Sequence, residues 1–367
     1  MTVKNIPWWK PQVGSVAERN YINKALDDNY INEGKLVEEF EKNIAKLVKA
    51  KYAIATTSCT AGIFLALKAM GIGYGDEVIV PDITFIATAN AVDLTGAKPI
   101  LVDVFPDTLN INTDAIKKAI TPKTKAIVPV HVTGRGANME EISKIAREHK
   151  LHVVEDAAEA LMSKQKNKYL GTFGNAGCFS FSPNKTITTG QGGMIVTNDE
   201  NICNRLKMLK DQGRPTRGTG GDDRHDIIGY NFKMTDLQAA VGLGQLNFLQ
   251  TRIERMRRNH QLYQENLKDV KEIFIYKTNL AEAELPQWTD VRLEKRDELA
   301  QFLKEKNIDT RKYWFPLHQQ LAYKLSDDNF PNSVKVSPRS LWLPSAFTLK
   351  DADIKRVCEN IKSFFQT

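Results

Sequence analysis

The strongest constraint on the fold is a regular alternation of short apolar strands and helices between residues 52 and 158. The strand segments read YAIAT, EVIVP, KPILVDV, KAIVPVHV and HVVEDAA, and the helical segments between them read TAGIFLALKAM, ITFIATANAVDLT, TDAIKKAI and MEEISKIAREHK. Strands that are apolar throughout are typical of a parallel sheet with helices on both faces. The hairpin-like segment GCFSFSP…GGMIVTND extends the sheet. We therefore predict an α/β fold with a large, mostly parallel sheet.

The alternation ends near residue 245, which indicates a second region. We predict a large domain over residues 1–248, with two helices at its start, and a smaller C-terminal α+β domain over residues 249–367. A long charged helix at roughly 247–268 opens the second domain, and RDELAQFLKEKNI and DADIKRVCENIKSFF are its further helices. The stretch at 213–226 is rich in glycine and charge, so we expect a loop there.

Charge and cysteine content exclude several classes of function. The 51 basic and 44 acidic residues give a net charge of +7, and no basic stripe interleaved with aromatic residues is present, which argues against nucleic-acid binding. A modest positive excess suits an anionic substrate. The four cysteines lack metal-site spacing, and no apolar run approaches ~18 residues. We therefore expect a cytoplasmic protein with reduced thiols, no metal and no membrane segment.

Three candidate catalytic or binding sites follow strands of this pattern. They lie at the carboxyl ends of the strands, which is where open α/β sheets bind ligands. SCTAG at 58–62 begins a helix, so its free N–H groups and hydroxyls can bind a phosphate, although ordinary helix capping explains it too. Asp156 is a helix cap, a metal ligand or the partner of a protonated ring nitrogen. Lys185 is either a surface lysine or a desolvated nucleophile.

Together these sites suggest pyridoxal 5′-phosphate. That cofactor needs a lysine for its Schiff base, a carboxylate beside its pyridine nitrogen and a site for its phosphate. Phe85 is a candidate to stack on the ring, although it could also be a core phenylalanine. Ser180 lies five residues before Lys185, at the end of a predicted strand.

Seven segments in chain order resemble motifs of the DegT/DnrJ/StrS sugar aminotransferases: SCTAGIFLAL, DEVIVPDITFIATANAV, IVPVHVTG, VVEDAAEA, CFSFSPNKTITTGQGGMIVTND, GYNFKMTDLQAAVGLGQL and DTRKYWFPLH. The resemblance covers nearly the whole chain, and the wording NKTITTGQGGM is similar to the branch that includes GDP-perosamine synthases. It implies a fold-type-I enzyme that uses pyridoxal phosphate on nucleotide-linked keto sugars.

The resemblance also implies roles for individual residues. Lys185 matches the lysine that binds the cofactor, and Asp156 matches the partner of the pyridine nitrogen. Phe85 matches the stacking aromatic, and Asn231 matches a residue that reaches the phosphate of the neighbouring subunit, which implies a homodimer with shared sites. The remaining matches are the phosphate contacts Thr60, Ala61 and Ser180, and His318 in a motif that lines the sugar pocket.

Three positions depart from the family pattern. Cys59 replaces a usual glycine, and a cysteine there is strained if the position requires positive φ. Glu159 takes the place of a glutamine or histidine near the cofactor's phenolic oxygen. Ser182 and Pro183 precede Asn-Lys where perosamine-type enzymes commonly have Phe-Gly, so this motif does not identify the sugar substrate.

The predicted function is transfer of an amino group from an amino acid, by family analogy L-glutamate, to a nucleotide-linked 4-keto-6-deoxyhexose, as in O-antigen biosynthesis. The alternatives are a pyridoxal-dependent sugar dehydratase, an aminotransferase acting at C3, and a cofactor-binding regulator without turnover. Relatives that are dehydratases have histidine in place of the lysine, so Lys185 favours transamination.

Overall fold

The fold is taken from a computed structural model that describes residues 4–216 and 223–366. Residues 217–222, in the middle of the loop predicted at 213–226, lie outside the described residues. No helix in the described part of the chain has both the length and the apolarity needed to cross a bilayer.

The strands are β1 (Tyr52–Thr56), β2 (Glu77–Pro81), β3 (Lys98–Val102), β4 (Thr124–Ile127), β5 (His152–Asp156), β6 (Lys164–Gln165), β7 (Lys168–Tyr169), β8 (Ala176–Ser180), β9 (Gly193–Thr197), β10 (Phe274–Ile275), β11 (Asp290–Arg292), β12 (Arg311–Lys312) and β13 (Ser340–Trp342).

The α-helices are α1 (Val16–Asp27), α2 (Lys35–Val48), α3 (Cys59–Ala69), α4 (Ala87–Asp93), α5 (Thr113–Ala119), α6 (Met139–His149), α7 (Glu200–Lys210), α8 (Asp236–Leu246), α9 (Leu249–Leu267), α10 (Arg296–Glu305), α11 (Pro331–Val336) and α12 (Asp351–Gln366). Short 3-10 helices lie at Val132–Gly134, Leu280–Glu282, Leu317–Gln319, Leu321–Tyr323, Asp327–Asn329 and Ser337–Arg339.

Seven strands form the large sheet, in the order β1-β9-β8-β5-β4-β2-β3. Strand β9 is antiparallel to both of its neighbours, and the other strand pairs are parallel. The predicted mostly parallel sheet is therefore confirmed.

Helices cover both faces of this sheet because each strand sends alternate apolar side chains to opposite sides. Val78 and Val80 pack with α3, α4 and α7 on one face, whereas Ile79 packs with α5 and α6 on the other. Helices α2 and α8 complete that second face. The predicted α/β class with two helical layers is thus confirmed.

A second, antiparallel sheet has the order β10-β11-β13-β12. Its apolar side chains share a core with α9, α10 and α12. The domain boundary predicted between residues 248 and 249 falls just before α9 and stays a prediction.

An aromatic cluster joins the two sheets. Trp288, Tyr313 and Trp342 from the second sheet's region share a buried core with Ile83 and Val130, which follow β2 and β4. The ring centroids of Trp288 and Trp342 are 5.2 Å apart. This cluster fixes the second sheet beside the carboxyl ends of the parallel strands.

Several predicted elements are shorter in the structure, and two of them differ by more than three residues. The helix predicted over ITFIATANAVDLT runs only from Ala87 to Asp93. The chain before it is anchored at Asp82, which accepts hydrogen bonds from the backbone N–H groups of Leu317 and His318. The strand predicted over KAIVPVHV ends at Ile127, two residues before Pro129, which has no N–H to donate to a sheet.

Candidate active site

A cavity of about 310 Å³ opens at the carboxyl ends of the parallel strands, a size typical of small-molecule sites. Its walls include Cys59 after β1, Phe85 after β2, Val130 after β4, and Asp156 and Ser180 at the ends of β5 and β8. The structure therefore brings the three sites suggested by the sequence into one cavity.

Lys185 lies in the turn between β8 and β9, where its backbone N–H donates to the carbonyl of Ser182. Its side chain is only 12% exposed, and Nζ donates to Oε1 of Glu159 at 3.1 Å. Nζ also lies 5.0 Å from the centre of the Trp288 ring. Lys185 is thus a largely buried amine held in the cavity, and not the surface lysine of the alternative interpretation.

Glu159 fixes the position of the lysine from the opposite side. Its Oε2 accepts a hydrogen bond from the backbone N–H of Thr133 at 2.8 Å, while its Oε1 accepts one from the Lys185 amine. Thr133 has a φ of 50°, in the left-handed region, which turns this N–H toward the carboxylate. Burial raises the pKa of the Glu159 carboxyl above its ordinary value.

Asp156 ends β5 with its carboxylate in the cavity wall. Its Oδ2 accepts from Oγ1 of Thr88 at 2.7 Å, and its Oδ1 accepts from the backbone N–H of Ala158 at 3.1 Å. Burial raises the pKa of this carboxyl, and the two hydrogen bonds oppose that shift. A cation beside Asp156 would further favour the ionised form.

The start of α3 forms another wall. Ser58 caps this helix, and its hydroxyl accepts from the backbone N–H of Ala61 at 3.1 Å, so the amide of Ala61 already has a partner. Thr60 lines the cavity, and Ala61 lies one residue further along the helix. The hydroxyls of Ser180 and Ser182 are 3.0 Å apart on the facing strand end.

Gly193 explains how closely this helix start approaches the sheet. A Cβ atom at Gly193 would lie 2.4 Å from the carbonyl carbon of Ser58 and 2.6 Å from the backbone nitrogen of Cys59. Only glycine lets the backbone of β9 lie against the first turn of α3. The polar groups at the helix start are thereby held beside the serines that follow β8.

These residues fit pyridoxal 5′-phosphate. A buried amine, a buried carboxylate and a helix N-terminus with neighbouring hydroxyls line one cavity, and these are the three groups that the cofactor requires. Phe85 stands at the cavity wall and is 56% exposed, so it is not a core phenylalanine. The individual roles of these residues stay predictions.

Cys59 is the first residue of α3 and does not adopt positive φ. The condition for strain at this position is therefore absent. Its side chain is buried, and Sγ lies 4.0 Å from Oδ1 of Asp156.

His318 does not line this cavity, and its expected contact with the sugar stays a prediction. It is fully buried, its Nδ1 lies 2.7 Å from Oδ2 of Asp82, and its Nε2 lies 2.9 Å from Oδ1 of Asp327. Its ring stacks on Phe330 with centroids 4.2 Å apart. Both ring nitrogens are thus engaged within the chain, and His318 connects the segment after β12 to the end of β2.

Asn231 is exposed and lies outside the cavity of its own chain. It forms an isolated bridge with Asp211, which follows α7. This position is compatible with the expected role in a neighbouring subunit, and that role stays a prediction.

The cavity residues that sequence reasoning missed include the large side chains Trp288, Arg311 and Trp314. Arg311 and Trp314 lie within the motif DTRKYWFPLH, so the signal was present. Trp288 lies outside every motif, and only the fold places it beside Lys185.

Among the described residues, no group of three or more histidines, cysteines or acidic residues is arranged to hold a metal ion.

Comparisons with known proteins agree with this geometry. The DegT/DnrJ/EryC1/StrS aminotransferase family matches residues 14–362. The chain is similar to the GDP-perosamine synthase of Escherichia coli O157:H7, with 37% identity over 369 residues and 99% of each chain covered. It is also similar to that of Caulobacter vibrioides, with 38% identity over 349 residues and 93% of each chain covered.

The fold is similar to that of DesI, whose crystal structure was determined in the presence of its TDP-sugar product. The two chains superpose with a TM-score of 0.91 and 30% identity, over 99% of this chain and 93% of the DesI chain. The resemblance drawn from the seven sequence motifs is thus confirmed.

Proposed function

The chain belongs to the DegT/DnrJ/EryC1/StrS aminotransferase family, and on that premise we propose that it transfers an amino group from an amino acid to a nucleotide-linked keto sugar. Members of this family are aminotransferases that depend on pyridoxal 5′-phosphate, and this chain is one of them. The observation that carries the proposal is the presence of Lys185 and Asp156 in one cavity at the carboxyl ends of the strands.

Pyridoxal phosphate, when bound, supplies an electron sink that stabilises negative charge on a carbon that loses its proton. Asp156 would hold its pyridine nitrogen. The carboxylate is ionised only if its burial is compensated, and Thr88 and Ala158 already donate to it. A protonated ring nitrogen would complete this compensation, because an opposite charge nearby favours the ionised carboxylate.

Lys185 is the group that binds the cofactor and then moves a proton at Nζ. Glu159 keeps this amine in the cavity through the 3.1 Å contact. Because Thr133 fixes the other carboxylate oxygen, Glu159 offers a defined position to which the lysine amine returns.

The phosphate would lie against the start of α3, Ser180 and Ser182. The unpaired N–H groups at a helix N-terminus and the helix dipole favour an anion. Asn231 of a second subunit would complete this site, and the exposure of Asn231 in the single chain supports that proposal. The active form would then be a homodimer with two shared sites.

The proposed acceptor is a 4-keto-6-deoxyhexose linked to a nucleotide, and the proposed donor is L-glutamate. The GDP-perosamine synthases among the relatives support this choice over amination at C3. Lys185 supports transamination over sugar dehydration, because the dehydratases that resemble this family carry histidine at that place.

The test follows the absorbance of the purified protein with pyridoxal phosphate before and after L-glutamate is added. An aminotransferase changes its spectrum, whereas a regulator without turnover does not. The protein is then incubated with GDP-, UDP- and dTDP-linked keto sugars, and mass spectrometry identifies any aminated product. No spectral change with any amino acid would contradict the proposed function.

A further inference from the structure

Arg311 is a cation in the cavity that has no anionic partner among the described residues. It stands on β12 opposite Trp342 and lines the cavity together with Lys185. Its guanidinium carbon lies 4.9 Å from the ring centre of Trp8 and 5.3 Å from that of Trp342. Over residues 4–216 and 223–366, no carboxylate lies within salt-bridge distance of Arg311, and its guanidinium donates no hydrogen bond.

This lack of a partner is costly, because a partly buried charge without a counterion loses hydration without compensation. Burial lowers the pKa of Arg311, and Glu159, which is already bound to Lys185, is the acidic group that opposes the shift. Arg135 is a useful contrast within the same chain. It is fully buried and makes a two-pronged ion pair with Asp290, with both N···O distances at 2.8 Å.

Trp288 is a second donor without an acceptor at this wall. It is 2% exposed, it lines the cavity, and its indole N–H has no hydrogen-bond partner among the described residues. Its ring centroid is 5.4 Å from that of Trp8 and 5.2 Å from that of Trp342, the two rings that flank Arg311. The indole N–H groups of Trp8 and Trp342 also have no hydrogen-bond partner among the described residues, but these two side chains do not line the cavity. Arg311 and Trp288 are therefore two donors of this cluster, one charged and one neutral, that lie at the cavity wall without an acceptor in the described chain.

We propose that Arg311 binds the carboxylate of the amino-acid donor, with the indole N–H of Trp288 as a second donor to it. This inference rests on the proposed aminotransferase function and names the residue that selects the donor. A guanidinium matches a carboxylate with two parallel hydrogen bonds. The α-carboxylate is bonded to the same carbon as the reacting amino group, so its binding group must lie near Lys185. Trp288 provides this connection, because its ring lies 5.0 Å from Nζ of Lys185.

The experiment measures the binding of glutarate, a dicarboxylate that has no amino group and cannot react, to the protein loaded with pyridoxal phosphate. Isothermal titration compares the wild type with Arg311→Gln, which removes the charge, and Arg311→Lys, which keeps the charge without the planar fork. The matched control is Arg292→Gln. The Arg292 guanidinium also lies over an aromatic ring, that of Phe274 at 4.6 Å, but it donates to the carbonyl of Pro106 and lies outside the cavity wall.

Arg311→Gln is expected to raise the Kd for glutarate about 10- to 100-fold, as for the loss of a hydrogen bond to a charged group. The Kd of Arg311→Lys for glutarate is expected to lie between those of the wild type and Arg311→Gln. Arg292→Gln is expected to bind glutarate like the wild type. The KM for L-glutamate should rise with the glutarate Kd. Binding of GDP, UDP and dTDP, measured in the same way, should change less than about twofold.

An unchanged glutarate Kd in Arg311→Gln, or a wild type that binds no glutarate, would overturn the inference. Loss of nucleoside diphosphate binding in its place would assign Arg311 to the diphosphate of the sugar substrate and would also overturn it. These outcomes are separable from failure of the proposed function. In that case the wild type itself would show no spectral response to any amino acid.

Discussion

Lys185 Nζ and Glu159 Oε1 lie 3.1 Å apart, and both side chains are nearly buried. The amine therefore rests against a carboxylate that is itself fixed by the backbone of Thr133. A lysine that served only solubility would extend into water, so this contact indicates that Lys185 functions in the cavity.

Replacing Lys185 with alanine is expected to abolish transamination and leave the fold intact, because the change removes a nucleophile and proton carrier and little core volume. Turnover with a keto-sugar substrate and the circular dichroism spectrum would test this. Lys185→Arg should be equally inactive, since a guanidinium does not deprotonate. Lys168→Ala, at an exposed lysine, is the control, and near-normal turnover by Lys185→Ala would refute the central role.

Asp156→Asn is expected to bind the cofactor but to lower kcat about 100-fold or more, the usual cost of losing one electrostatic contact in an active site. Thr88→Val is the matched variant, because it removes the 2.7 Å hydrogen bond and keeps the charge. Its effect should be smaller. Wild-type kcat in Asp156→Asn would mean that the carboxylate only holds the turn through the N–H of Ala158.

Cys59→Gly is expected to lower the free energy of unfolding by about 1–2 kcal/mol, because Cys59 is helical and buried and glycine disfavours helices. Cys59→Ala, which keeps helix propensity, should cost less. Urea unfolding monitored by circular dichroism would compare the two. If Cys59→Gly were as stable as the wild type, the first turn of α3 would prefer a conformation that cysteine cannot adopt.

His260 should make the protein sensitive to acid. It is fully buried beside Thr289, and burial lowers its pKa to about 4. Between pH 6.5 and about 4 the unfolded chain binds a proton that the folded chain does not, so stability present above pH 6.5 is lost as the pH falls. The expected loss at pH 5 relative to pH 8 is about 2 kcal/mol.

This loss would be measured as the shift of the urea midpoint between pH 8 and pH 5. His260→Gln should have a smaller shift, whereas His149→Gln, at an exposed histidine, should behave like the wild type. Equal pH shifts in all three proteins would show that His260 does not contribute to acid sensitivity.

A mixture of two defective proteins tests the shared site. Lys185→Ala and Asn231→Ala subunits, each impaired alone, are combined under conditions that allow subunit exchange. If Asn231 serves the neighbouring subunit, one site in each mixed dimer regains both residues and activity rises above either parent. No gain with mixed dimers confirmed by mass spectrometry would place both residues in one chain's site.

The sequence predicted the large sheet well because its strands have strong local signals. EVIVP and YAIAT are apolar throughout, and the structure has strands at both segments. The sequence also predicted that Lys185 and Asp156 lie close together, because residues at the carboxyl ends of parallel strands lie at one edge of the sheet. Local patterns could not predict that Asp82 binds the backbone around His318, because this contact joins residues 236 positions apart. The same limit hid Trp288.

The two walls of the cavity are made at very different times. Lys185 is synthesised 129 residues before Trp314. At about 5–20 residues per second, the interval between the two is roughly ten seconds. During that interval the parallel sheet can form, but the wall with Trp288 and Arg311 is missing. A chain interrupted before residue 288 would thus carry the nucleophile with one side of its site open to water, and solvent can be excluded only after the wall with Trp288, Arg311 and Trp314 has been added.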